Sequence, residues 1–255
     1  MSDPLDRLGP GSHQGRWIAA ALVLGWLLSL AGLLSLNLET LPWWGLVAVV
    51  LLRTQLQTGL FIVGHDAMHG LLWPTQPRWN EALGAAALAL YAALPYRRCR
   101  RNHHLHHHQC ATAADPDFLA DHRAGAWRWY RQFMGGYLTP TQMGGLLGAW
   151  AGLAYAFSAI TPTALLNVLL ICTLPLGLSS LQLFLVGTYL PHRRQRAPDS
   201  QSHPESLNLP PWLSLLACFH FGYHREHHDH PSLCWFQLPA ARARSRQLAL
   251  LAQSR

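Results

Sequence analysis

The sequence predicts an all-α integral membrane protein in which four transmembrane helices carry a histidine-rich helical cap on their cytoplasmic face. Three observations predict it. Half of the 255 residues are hydrophobic and only 12% are charged, well under the quarter usual for soluble domains. Apolar runs of membrane-crossing length recur along the chain. Three histidine clusters, His65 and His69 in HDAMH, His103, His106 and His107 in HHLHH, and His224, His227 and His228 in HREHH, have the i, i+3 or i+4 spacing that shares one helical face.

The elements follow in chain order. Trp17 to Leu36 is uncharged and long enough to cross about 30 Å of hydrocarbon, so it reads as the first span. The polar residues before it hold both signs of charge and no convincing cleavage site follows, so this segment is expected to stay as an anchor. Residues 37–42 turn the chain, and Trp43 to Val63 is apolar except around Arg53, Gln55 and Gln57. It reads as a second span returning toward His65. A polar group at that depth is costly unless it faces protein, so Arg53 is assigned a partner inside the bundle or a snorkelling side chain. Glu81 to Leu94 is apolar but short, and reads as a re-entrant or interfacial helix. Residues 144–160 and 163–190 form a second hairpin, split by Thr161 and Pro162. The chain is expected to form one domain throughout.

Charge fixes the orientation. No lysine occurs, the formal net charge is +7, and the arginines of segments 78–131 and 193–196 fall on one side of a four-span topology. The short connections near Glu39 and Pro162 contain none. Arginine is retained on the cytoplasmic side, which places the termini and all three clusters together there. A fifth span over 81–94 would separate the first cluster from the second. Arginines flanking apolar stretches point to a lipid surface rather than to nucleic acid.

Neutral imidazole is the commonest metal ligand, and several helices each directing two or three imidazoles inward can hold more than one transition-metal ion. His65, His69, His103, His106, His107, His224, His227 and His228 are the ligand candidates. His220 lies four residues before His224, where helical spacing would let it join, and His192 sits where the fourth span emerges; for both, ligation and simple hydrogen bonding stand open. His104, His108 and His230 read as neighbours, and the isolated His13, His122 and His203 as ordinary polar residues. Metal-bound histidines usually donate their second N–H to a carboxylate; Asp66, Asp115, Asp117 and Glu226 stand beside the clusters for this role, Asp229 less so. Cys99, Cys110, Cys172, Cys218 and Cys234 form no CxxC pair, so cysteine ligation is not indicated. The Glu-x-x-His repeats of soluble di-iron bundles are absent from the sequence too.

HDAMH, HHLHH and HREHH, preceded by membrane hairpins, resemble the histidine-box superfamily of membrane fatty-acid desaturases, hydroxylases and ketolases. The flanking strings narrow this. FIVGHDAMHG, DPDF after the second box, GTYLPHR after the fourth span and FHFGYHREHHDHPSLCWFQLP are similar to the beta-carotene ketolases, from about Leu51 to Pro239. Cys234, Trp235 and Phe236 depart from the PWW common in that family, which leaves the ligands untouched and bears on the substrate pocket.

The resemblance implies two iron ions, with O2 as co-substrate, and a carotenoid as substrate. The allylic C4 of a beta-ionone ring would be hydroxylated twice, and the geminal diol would lose water to give a ketone. It also implies that His192 is a ligand outside the three boxes. The chain has no dinucleotide fingerprint or cysteine cluster, so electrons would come from ferredoxin or a similar carrier. Arg97, Arg98, Arg100 and Arg101 either dock that carrier or only set topology. The boxes alone leave open a carotenoid hydroxylase, a fatty-acyl desaturase, or a histidine-rich membrane metal transporter.

Overall fold

The computed structural model describes residues 13–121, 124–196 and 203–253, so His122 lies outside the described residues. Among these the structure is helical: α1 (His13–Leu34), α2 (Trp43–Met68), α3 (Pro77–Ala92), α4 (Tyr96–His108), α5 (Ala126–Tyr137), α6 (Pro140–Phe157), a long α7 (Ala164–Gln195), α8 (Pro211–Cys218), α9 (His224–Asp229) and α10 (Leu238–Gln253). Gln14–Leu34, Trp43–Met68 and Ala164–Gln195 are long and apolar enough to cross a membrane. The expected third span corresponds to α6, which is 18 residues long and is not among these three. Its first turn, Pro140-Thr141-Gln142, is polar, and glycines dilute the rest.

Buried polar groups stitch the long helices together. Asn167 of α7 donates to the carbonyls of Leu33, Leu34 and Leu36, and with Thr161 and Thr163, which also donate to Leu36, it helps satisfy the carbonyls at the end of α1. Arg53 of α2 is fully buried. Its Nη1 donates to the Trp26 carbonyl (2.8 Å) and to Ser29 Oγ (2.7 Å), and its guanidinium lies 4.8 Å from the Trp26 ring centroid. This is the intrabundle partner that the burial cost of the charge demands.

The last acceptor of Arg53 explains a distortion. Pro175 cannot donate to the carbonyl four residues earlier and its ring crowds that carbonyl. The displaced group is Ile171 O, in a π-helical stretch over Leu169–Thr173, and it accepts from Arg53 Nε at 3.1 Å. Pro191 is matched in the same way by a π stretch over Leu183–Tyr189. Such bulges keep an interrupted helix continuous, and α7 thereby carries His192 in its last turns.

At 26 residues α2 extends about 39 Å, beyond a hydrocarbon core of about 30 Å, and its final turn carries His65 with His69 at its cap. Against that turn packs α3, which is 16 residues long and too short to cross. Close approach requires two glycines. A Cβ on Gly64 would fall 2.5 Å from Leu88, and one on Gly84 would fall 2.4 Å from Ala67 Cβ and 2.6 Å from the Tyr96 ring. Ala67 lies between His65 and His69, so Gly84→Ala should press on the site as well as the crossing. We expect it to cost about 1–3 kcal/mol, read as a lowered thermal midpoint of the solubilised protein. Gly25→Ala, whose Cβ would meet only Leu56 at 3.8 Å, is the control; equal midpoints for both would refute the tight crossing.

Candidate metal centre

Two groups of imidazoles converge where α2, α4, α7 and α9 meet. His65, His69, His103, His107 and His227 form one, and His106, His192, His224 and His228 the other; within each, the nitrogens that could bind a metal lie within 4.8 Å of one another. In the first, His103 Nε2 is 2.7 Å from His69 Nε2 and 3.1 Å from His107 Nε2, which is itself 2.9 Å from His227 Nε2. In the second, His224 Nε2 is 2.8 Å from His192 Nε2 and 3.1 Å from His228 Nε2. The groups adjoin, with the rings of His107 and His228 stacked at 4.3 Å.

Helical geometry explains this division. Residues i and i+4 differ by about 40° around the axis, whereas i+3 swings about 60° the other way. On α4, His103 and His107 therefore face the first group and His106 the second. On α9, His224 and His228 face the second group and His227 the first. The second and third boxes thus each contribute to both groups, whereas His65 and His69 of the first box both join the first.

The donor chemistry fits metal ions. A neutral imidazole carries one N–H and one lone pair, so a ring of nitrogens facing inward cannot be paired entirely by hydrogen bonds, whereas a cation accepts every lone pair. Two nitrogens about 2.1 Å from one metal and at right angles are about 3 Å apart, close to the separations seen. Protonation states agree: burial first, and then the neighbouring imidazoles, hold His103, His224, His227 and His228 well below the ordinary histidine value, and burial and His104 bring His69 down to about 4. These rings are neutral near pH 7 and present lone pairs. His106 differs. Burial pulls its pKa down, but the hydrogen bond to Asp115 and the charges of Asp117 and Asp115 outweigh that and leave it raised.

The four carboxylates separate into different roles. Asp115 accepts from His106 Nδ1 with both oxygens at 2.9 Å and also takes the N–H groups of Ala111 and Asp117, fixing the turn after α4 where Ala111 has φ +61°. Asp66 is 3.4 Å from His65 Nδ1 and accepts from the Trp235 N–H at 3.3 Å. Asp117 does not hold an imidazole; it accepts from the Tyr137 hydroxyl at 2.6 Å. Burial raises its pKa to about 6 even though His106 and Tyr137 favour its ionised form. Glu226 does not hold one either, because on α9 it points about 200° away from His224. It instead pairs with Arg242 of α10 at 3.0 Å and accepts from Ser206.

His220 joins neither group, which corrects its placement on the face of His224. Helix α9 begins only at His224, and His220 occupies a left-handed turn at φ +65°, so no continuous face links them. Its ring stacks on Tyr223 and Trp235. His192 does join the second group, and its Nδ1 is held 2.5 Å from Gln195 Oε1, an i, i+3 partner that spacing alone could have revealed. His104 Nε2 donates to the Met68 carbonyl at 2.9 Å, as befits a neighbour. Tyr137 carries no such signal, since it meets Asp117 across a loop.

Below the imidazoles lies a small cavity lined by His65, His103, His106, His224, Asp117 and Tyr137, among others. It adjoins a cavity of about 410 Å³ with almost wholly apolar walls, including Tyr91, Leu94, Met134, Leu146, Trp150 and Leu176. Phe61, Phe133, Tyr137 and Leu183 line both. A metal centre of this kind, opening onto an apolar space, suits oxidation of an apolar substrate away from water.

The family model for fatty acid desaturase matches residues 41–147 and 141–253. The chain is 43% identical over 194 residues to a beta-carotene ketolase of Paracoccus sp. (strain N81106 / MBIC 01143), covering 75% of this chain and 76% of the relative. It is 38% identical over 235 residues to a beta-carotene ketolase of Paracoccus sp. (strain PC1), covering 88% and 90%. With a zeaxanthin 4-ketolase of Chlamydomonas reinhardtii it shares 36% identity over 229 residues, covering 83% of this chain and 48% of that protein. Boxes, flanking strings and relatives agree, and the chain belongs to the beta-carotene ketolases of the fatty acid desaturase family.

Proposed function

We propose that this protein is an integral membrane, non-haem di-iron beta-carotene ketolase that converts the C4 methylene of a beta-ionone ring to a ketone, giving echinenone and, when both rings react, canthaxanthin. The observation that carries this reading is the likeness to two beta-carotene ketolases over 75% and 88% of the chain. The apolar cavity joined to the imidazole cap supports it. His65, His69, His103, His107 and His227 would hold one iron, and His106, His192, His224 and His228 the other. When bound, the irons supply the O2-activating redox chemistry that imidazole-rich sites support.

The chain's own residues orient and enclose. Asp115 and Gln195 fix the rings of His106 and His192, and Asp66 stands beside His65. The apolar walls seat the ring and its polyene and exclude water, so that oxidation is directed at a C–H bond. Each hydroxylation of the substrate carbon consumes one O2, two electrons and two protons and releases one water; the geminal diol then loses a third water. A ferredoxin-type carrier supplies the electrons. Arg97 and Arg101 are available to dock it, while Arg100 is already paired with Glu81 at 2.5 Å. In the membrane, α6 serves as a fourth span; its exposed Leu147 and Tyr155 suit a lipid environment, and the arginine distribution supports a site on the cytoplasmic face. The whole chain acts as one domain.

Expression in a host that accumulates beta-carotene, followed by pigment chromatography, tests the reading. Echinenone or canthaxanthin is the expected product, and the purified protein should hold iron at about two equivalents, the number its two imidazole groups can take. Unchanged carotenoid beside altered acyl chains would identify a desaturase instead, and exchangeable zinc without turnover a transporter.

A further inference from the structure

Oxidising one carbon twice poses a retention problem. After the first hydroxylation the substrate is a secondary allylic alcohol, which must stay with its remaining C–H bond toward the centre if a ketone is to form. The walls of the large cavity are mostly apolar, and of the other hydroxyls on them Tyr130 and Ser180 bond each other at 2.7 Å, Tyr91 accepts from Ser179, and Thr173 lies on α7 and lines only that cavity. Of the four residues that line both cavities, Phe61, Phe133, Tyr137 and Leu183, only Tyr137 has a polar group.

The geometry points to Tyr137 as the residue that retains the alcohol between the two oxidations, and this rests on the ketolase reading above. Tyr137 ends α5, and its ring packs against Phe133 with centroids 5.1 Å apart. Its hydroxyl proton is committed to Asp117 Oδ1 at 2.6 Å. The Asp117 N–H in turn donates to Asp115, whose carboxylate holds His106. The phenol oxygen is therefore fixed relative to the second imidazole group, and a phenol already donating keeps acceptor capacity. It accepts the O–H of the alcohol at the junction of the two cavities. The unoxidised hydrocarbon has no hydroxyl to offer, so the contact is specific to the intermediate, and it commits the enzyme to ketone rather than to release of the alcohol.

Tyr137→Phe removes the oxygen and keeps the ring. Products from beta-carotene are separated into 4-hydroxy and 4-keto forms, and the alcohol-to-ketone ratio is expected to rise about five- to tenfold, the worth of one net hydrogen bond. A second readout needs no turnover. With the oxidised holoprotein in nanodiscs, without reductant and oxygen-free, tryptophan quenching gives the Kd for 4-hydroxy-beta-carotene and for beta-carotene, and their ratio should shift by the same factor toward the hydrocarbon. Because Tyr137→Phe leaves the Asp117 carboxylate without this donor, Tyr137→Phe combined with Asp117→Asn serves as a second variant. An unchanged product ratio and Kd ratio in either variant that retains its iron overturns the inference. Loss of iron from both overturns it too, by making Tyr137 a structural support. Failure of the wild-type protein to make any ketone would instead sink the ketolase reading itself.

Discussion

His107→Ala is expected to abolish ketone formation and to lower bound iron from about two ions per chain toward one, a larger loss than the ~10–100-fold that removing an outer-shell partner typically causes. His107 is central to the first imidazole group: its Nε2 lies 3.1 Å from that of His103 and 2.9 Å from that of His227. Its ring also stacks on His228 of the second group, so the void left by alanine opens toward both. Membrane insertion depends on the apolar spans and should be unaffected. Two controls separate ligation from packing. His104→Ala removes an imidazole held by the Met68 carbonyl, and His220→Ala one stacked on Tyr223 and Trp235; both variants should keep two irons. Iron analysis and pigment chromatography on the same preparations decide the matter, and full turnover by His107→Ala would remove that residue from the ligand set.

Asp115→Ala is expected to weaken iron binding or turnover by about 10–100-fold, as for other carboxylates that orient a ligand histidine. The loss has two sources. His106 would lose the acceptor that fixes its tautomer, with both carboxylate oxygens at 2.9 Å. The turn carrying Ala111 in a left-handed conformation would lose its side-chain acceptor, and such a conformation persists only where its surroundings impose it. Asp115→Asn keeps one carbonyl oxygen in place and should fall between wild type and alanine. Titrating iron into each chelated variant while following turnover measures the effect. Equal affinity in wild type and Asp115→Ala would assign the carboxylate to the loop alone.

Much of this was legible along the chain because the signals are local. Apolar length marked α1, α2 and α7, and the short run after Glu81 was recognisably unable to cross. Arg53 needed an acceptor inside the bundle, and the structure supplies two backbone carbonyls and a serine hydroxyl. What spacing misjudged were cases in which a helix was assumed to continue. His220 and His224 share a face only if the chain between them is helical, and a pair of left-handed residues, Phe219 and His220, interrupts it. Glu226 was read as a neighbour of His227 because it adjoins it in sequence, yet adjacent residues diverge by about 100° around a helix, and Arg242 claims its carboxylate from the far side.

By itself the sequence determined that membrane-length apolar helices are accompanied by imidazoles at helical spacing, and its flanking strings pointed to a carotenoid-oxidising family. Those conclusions need only periodicity, hydropathy and motif. Which imidazoles stand together, that HHLHH and HREHH each divide between two groups, that His192 enters and His220 does not, and that Tyr137 meets Asp117 where the two cavities join were decided by the tertiary structure. The physical reason is that spacing fixes a side chain's angle on its own helix, whereas the nitrogens that converge depend on how α2, α4, α7 and α9 pack. That packing is set by contacts remote in sequence: two glycines at the α2–α3 crossing, and the proline-distorted α7 pinned by Arg53 and Asn167.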